Sequence, residues 1–237
     1  FRVYQDDQLI TSWSGLKGQS ILKYLIAHHA RPISKDMLME VFWPDADPKS
    51  ARRNLHQAIY SLRQILRGEQ PDFQHVRFED GFYYLNPMMD IWLDFVEFES
   101  QVQTGLQFEA AGQSAAAIKA YGAAEGLYLG DFMDEDIYER WPEVQRENLR
   151  NKYLEITDRL AQYYMEQGEF IAGAALSRKL LSKDNCHEGA HRRLMQCYMA
   201  QGQRHLAVRQ YQTCIQTLQE ELDIGPSEET TALYRRI

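Results

Sequence analysis

The residues best suited to chemistry lie in WPDADPKSARRNLHQAIYSLRQIL, residues 43–66. There, Lys49, Arg52, Arg53 and Arg63 follow one another with no acid between them. Cations neutralise nucleic-acid phosphates with release of counterions, and Asn, Gln and Arg can pair two-pronged with purine edges. Stepping 100° per residue, Ala51, Leu55, Ile59, Leu62 and Leu66 fall on one side of a helix. Ser50, Arg53, Gln57, Tyr60, Ser61 and Gln64 fall on the other side, flanked by Lys49, His56 and Arg67. One face is core; the other mixes cations, amides and an aromatic ring.

Charge supports this local reading although the chain as a whole is acidic. Residues 1–90 carry 11 basic and 11 acidic side chains and residues 91–237 carry 15 and 23, so the net −8 belongs to the second part. The global acidity therefore does not argue against a nucleic-acid partner for the first part. A second cluster, Cys186, His187, His191 and Cys197, has metal-ligand residue types, but its spacing spreads the four over different helix faces. It reads as ordinary structure, and no metal or other cofactor is expected. The three cysteines read as reduced core thiols, His28 and His29 as capping and surface groups, and Trp43, Trp92 and Trp141 as anchors of the core or of a domain interface. No GxxxxGK[ST], GxSxG or HExxH motif occurs, so a non-enzymatic role is expected.

The elements that must position the basic face can be read around it. FRVY and QLITSW, joined by Gln5-Asp6-Asp7, suggest an N-terminal ribbon at the edge of a small sheet. LKGQSILKYLIAHH forms a first helix, and KDMLMEVFW a second, capped by Ser34 and stopped at Pro44. The third helix takes Asp47 as N-cap and Pro48 at its first position, with Gly68 as a left-handed terminator. HVRFEDGFYYLNP alternates around Asp80-Gly81, the best dipeptide for a tight hairpin. This order, helix-turn-helix closed by a wing, predicts a winged helix-turn-helix domain over residues 1–87.

From residue 90 the pattern becomes helical throughout. Phe108-Gly112-Ala117-Tyr121, Tyr164-Gly168-Gly173-Ser177 and Tyr198-Gly202-Ala207-Tyr211 share one internal spacing, and the last two sets are 34 residues apart. That is the tetratricopeptide period, with glycine in the turn and a small residue where paired helices approach. A long helix is expected from Pro142 to Gln167, and a last one over TALYRRI. The expected fold is thus mainly α: a winged helix-turn-helix (α+β) domain, then an all-α tetratricopeptide-like repeat domain over residues 90–237. No run of 18 apolar residues and no signal peptide appear, so a cytoplasmic protein without membrane contact is expected. The chain opens at Phe1 inside a strand-like run without Met, as a segment of a longer protein would.

The third-helix stretch resembles that of the SARP family of bacterial regulators, the antibiotic regulatory protein type. YLGDFMDEDIYERWPEVQRENLRNKYLEITDRLAQYYMEQGEF and HEGAHRRLMQCYMAQGQRHLAVRQYQTCIQTLQEELDIGPSEETTALYRRI resemble the bacterial transcriptional activator domain of the same family. The resemblance implies a transcription factor, an activator, that binds double-stranded promoter DNA as a homodimer and touches RNA polymerase. It implies that Lys49, Ser50, Arg53, Asn54, Gln57 and Tyr60 lie against bases or phosphates, with Arg52 and Arg63 at the flanks. The loop before the helix, through Asp45 and Asp47, would be the polymerase contact. The wing departs from the expected pattern, with Glu79 and Asp80 where Arg would suit a minor groove, leaving Arg77 as the nearest phosphate contact. The alternative is a protein-interaction or ligand-sensing scaffold with weak or no DNA binding.

Overall fold

The computed structural model describes residues 1–5, 7–13, 15–67 and 73–237. The chain divides into two compact units, Phe1–Ile91 with Met133–Pro142, and Trp92–Phe132 with Glu143–Ile237. The first unit takes a ten-residue segment from far along the chain, which helical periodicity cannot show.

In the first unit β1 (Tyr4–Gln5) and β2 (Gln8–Leu9) form a two-stranded sheet of their own. The N-terminal ribbon is therefore shorter than expected and is not the edge of the wing sheet; Asp6 of its turn lies outside the described residues. Next come α1 (Leu16–Ala27), β3 (Ile33–Ser34), α2 (Lys35–Phe42), α3 (Pro48–Ile65), β4 (Val76–Glu79) and β5 (Phe82–Leu85). The wing sheet has the order β3-β5-β4, antiparallel throughout, with Ile33 opposite Tyr83 and Phe78 opposite Tyr83 across the other edge. β3 was not expected, because two residues before a helix cap carry no alternation to read.

The hairpin turn is set by Asp80 (φ 51°) and Gly81 (φ 88°), both left-handed as a type I′ turn requires. Ile21, Leu25, Leu38, Phe42, Leu55, Ile59, Leu62 and Val76 fill the core, all five expected inner positions of α3 among the buried residues. Full burial of such a side chain contributes about 1.5–3 kcal/mol. Helices α1 and α3 meet closely at Gly18, where an added methyl would stand 3.3 Å from the Ala58 carbonyl oxygen. Gly68, the expected terminator of α3, lies outside the described residues.

The second unit consists of α4 (Asp94–Ala110), α5 (Ser114–Leu127), α6 (Glu143–Glu166), α7 (Phe170–Lys183), α8 (Glu188–Ala200), α9 (Arg204–Leu222) and α10 (Glu228–Arg236). Each of α4 to α9 packs on the next. The repeated motif has one structural meaning in three places. Gly112, Gly168 and Gly202 adopt φ of 72°, 77° and 71°, and the residue after each donates its N–H to the carbonyl of Phe108, Tyr164 and Tyr198 at 2.8–2.9 Å. These are Schellman closures, in which the left-handed residue follows the helix cap. The small residues Ala117, Gly173 and Ala207 are buried at the helix contacts. The final helix starts at Glu228, earlier than expected, because Ser227 caps it by accepting from Thr230 N–H.

Candidate nucleic-acid interface

Helix α3 begins where Asp47 accepts hydrogen bonds from the N–H groups of Lys49 (3.0 Å) and Ser50 (3.1 Å). Hydrogen bonds from Ser50 hold the Asp47 carboxyl below its ordinary range. With Pro48 at the first position, the helix start is fixed. The expected outer face is confirmed in its exposure: Lys49, Arg52, Arg53, His56, Gln57, Tyr60 and Gln64 are exposed, while Ser50, Asn54 and Ser61 are half-buried. Tyr60 is 65% exposed on this face.

The cations at the start of α3 are not neutralised by carboxylates of the first unit. Among the described residues, Lys49, Arg52 and Arg53 have no salt-bridge partner. In the second unit Lys152, Arg159, Lys179, Lys183, Arg192, Arg193 and Arg235 are all paired with carboxylates. The α3 cations thus remain available for an external anion.

Two expected residues occupy different settings. Arg63 is half-buried, and its Nε donates to the Val76 carbonyl at 3.0 Å, tying α3 to the wing. It shares a hollow of about 230 Å³ with Gln64, Arg67 and His75 at the end of the helix. Arg77 sits on β4, 3.9 Å from Glu79 and over the ring of Tyr84, so its charge is partly answered within the wing. Asp45 and Asp47 are both exposed in the turn before α3. His56 and Gln64 complete the exposed face but were not among the site residues singled out above; their helical angle was the available signal.

The rival metal cluster is occupied otherwise. His191 donates from Nε2 to the Asn185 carbonyl at 2.9 Å and accepts at Nδ1 from Gln210 at 2.6 Å, which assigns the neutral tautomer. Burial pushes its pKa down, in keeping with that state. His187 caps α8 through Nδ1, accepting from Ala190 N–H. No group of three or more potential ligands converges among the described residues. His28 and His29 bond back to the carbonyls of Tyr24 and Ile26, as helix-end residues do. Two readings need correction: Trp92 is 65% exposed and anchors no core, and Cys186 is half-buried rather than a core thiol. The residues nearest Trp92 in sequence, Pro87 to Leu93, form no helix or strand that could cover it.

The fold and this face define a winged-helix transcriptional regulator with a helical-repeat second part. Residues 15–84 match the family described as transcriptional regulatory protein, C terminal, and residues 93–237 match the bacterial transcriptional activator domain. The chain belongs to the SARP-type family of bacterial transcriptional regulators. It is 24% identical over 229 residues to the transcriptional regulatory protein MoaR1 of Mycobacterium tuberculosis, covering 93% of this chain and 71% of that one. It is 25% identical over 225 residues to EmbR of Mycobacterium tuberculosis, again over 93% of this chain, but spans only 57% of EmbR's length. The solved structure of Mycobacterium tuberculosis EmbR with a low affinity phosphopeptide shares the fold, with a TM-score of 0.77 at 21% identity. That match covers 99% of this chain and 62% of the other. No helix among the described residues is long and apolar enough to cross a membrane.

Proposed function

We propose that the protein binds promoter DNA sequence-specifically, with α3 in the major groove. Lys49, Ser50, Arg52, Arg53, Asn54, Gln57 and Tyr60 are the reading face, and Arg63 and Arg77 are flank contacts. The observation that carries the reading is the row of exposed cations Lys49, Arg52 and Arg53 beside Gln57 and Tyr60 on the solvent face of α3, whose opposite face is core. Asp45 and Asp47 offer carboxylates to RNA polymerase, and the second unit serves dimerisation on repeated half-sites. The family membership supports both assignments. The second reading is a protein-interaction or ligand-sensing scaffold, for which the second unit offers an open surface hollow of about 320 Å³ edged by Gln162, Met165, Gly189 and Arg193.

Fluorescence anisotropy on promoter and random duplexes across a salt series tests DNA reading. Affinity should fall with a log–log slope of about −0.9 per neutralised phosphate. Lys49→Ala should weaken both duplexes alike and reduce the slope by about 1, whereas Arg53→Ala should cost about 1–3 kcal/mol on the promoter and relax discrimination. A flat salt response overturns DNA reading and leaves the scaffold activity.

A further inference from the structure

The chain leaves the second unit after Phe132, gives Met133–Pro142 to the first, and returns at Glu143. Two contacts from this segment converge on one turn of α1. Lys23, only 3% exposed, donates from Nζ to Asp136 Oδ2 at 2.7 Å and to Glu135 Oε2 at 3.3 Å. Trp141 stands edge-on to Tyr24 with ring centroids 5.2 Å apart. A lysine is almost never this buried unless paired, and here the pairing groups lie more than a hundred residues away in the chain. The segment also opens on a left-handed, buried Met133 (φ 49°), a conformation that persists only when its surroundings hold it.

From α1 the contacts run on to the reading helix. Tyr24 meets Phe42 at the end of α2 with centroids 5.7 Å apart. Nearly two turns earlier, Gly18 brings α1 close against Ala58 and Leu62 of α3, where an added methyl would stand 3.3 Å from the Ala58 carbonyl oxygen. Close-packed contacts of this kind transmit a displacement instead of absorbing it.

We propose that residues 133–142 are a strap through which the helical unit sets the position of α1 and, through it, of α3. Lys23, Asp136 and Trp141 are positioning residues for DNA reading, although none of them lies on the α3 face. This inference rests on the proposed DNA reading by α3, and it makes the winged unit dependent on the state of the second unit.

The test uses the full chain in the same salt series, with hydrogen exchange of the α3 amides and circular dichroism on each variant. Asp136→Asn should lower promoter affinity by about tenfold, within the range usual for coupling between sites, and should reduce the salt slope and quicken α3 exchange with helix content intact. Glu135→Gln, at an exposed partner, should change affinity by less than about twofold. The double variant Lys23→Met/Asp136→Leu replaces the pair by apolar groups and should recover most of the loss, also in the event that Asp136→Asn alone does not fold. Unchanged affinity, slope and exchange in folded Asp136→Asn, or no recovery in a folded double variant, overturns the strap. A wild-type chain that binds no duplex overturns the DNA reading itself, and the positioning role with it.

Discussion

Asp47 does two things that a mutation must separate. Its carboxylate caps α3, and the same side chain is exposed in the turn proposed to face polymerase. Because its pKa is lowered, the charged cap contributes fully above the ordinary value of 3.8 and is lost as pH falls through the lowered value. Asn is an equally good N-cap, so Asp47→Asn keeps the helix start while removing the charge. The double variant Asp45→Asn/Asp47→Asn should therefore reduce activated transcription with purified polymerase while promoter affinity stays level or rises. Asp47→Ala should lose both. Equal transcription by the Asn pair and wild type would remove the polymerase role from this turn. The cap was legible in the sequence because its partners are two and three residues away. Lys23 was not: locally it is one more helix cation, and only the fold brings Asp136 to it. Arg63 was half-legible, its helical angle being apparent but not the Val76 carbonyl that engages it.

At the scale of elements, the repeat motif was legible because each Schellman turn needs a left-handed residue at a fixed place, which leaves glycine in the sequence at fixed spacing. The last helix was read short because its docking depends on a group 39 residues away. Glu188 of α8 accepts from Ser227 N–H at 2.8 Å and Ser227 Oγ at 2.6 Å, and also from the Thr230 hydroxyl, which is fully buried. Burial raises the Glu188 pKa, but these hydrogen bonds and the Arg192 charge outweigh it, and the net shift is downward. A depressed carboxylate stabilises above its ordinary value and ceases to do so as pH falls through the lowered one. Acid should thus release α10 from α8 before the second unit as a whole unfolds. Protection of the amides of residues 228–236 should be lost as pH falls below the ordinary glutamate value of 4.5 and through the lowered one in the wild type, and Glu188→Gln should show weak protection already at pH 7. Exchange in Glu188→Gln as slow as in the wild type would show that the Tyr211–Tyr234 stack, with centroids 4.1 Å apart, suffices to hold the helix.

For the whole molecule, the neutral and acidic halves of the sequence do not coincide with the two units: Met133–Pro142, with four acids and one arginine, joins the first unit, and the boundary is not a single point in the chain. A winged helix cut at Ile91 keeps α1, α2, α3 and the wing, and every residue of the α3 face. It loses Glu135, Asp136 and Trp141, so Lys23 and the edge of Tyr24 become open to water. Removing one side of a buried ion pair costs about 3–5 kcal/mol when the remaining charge stays buried. Here water reaches Lys23 once the strap is gone, so the cost should be smaller, about 1–3 kcal/mol, the loss of one buried polar contact and one aromatic contact. Residues 1–91 alone should consequently unfold at a lower urea midpoint than the first unit of the full chain, followed through tyrosine and tryptophan signals. A peptide of residues 133–142 added in trans should raise that midpoint in a concentration-dependent way, since a ligand that binds only the folded state stabilises it by mass action. The same peptide with Asp136→Asn and Trp141→Ala should not. A fragment as stable as the intact unit would mean that the winged helix closes its own core and that the strap is merely laid on its surface.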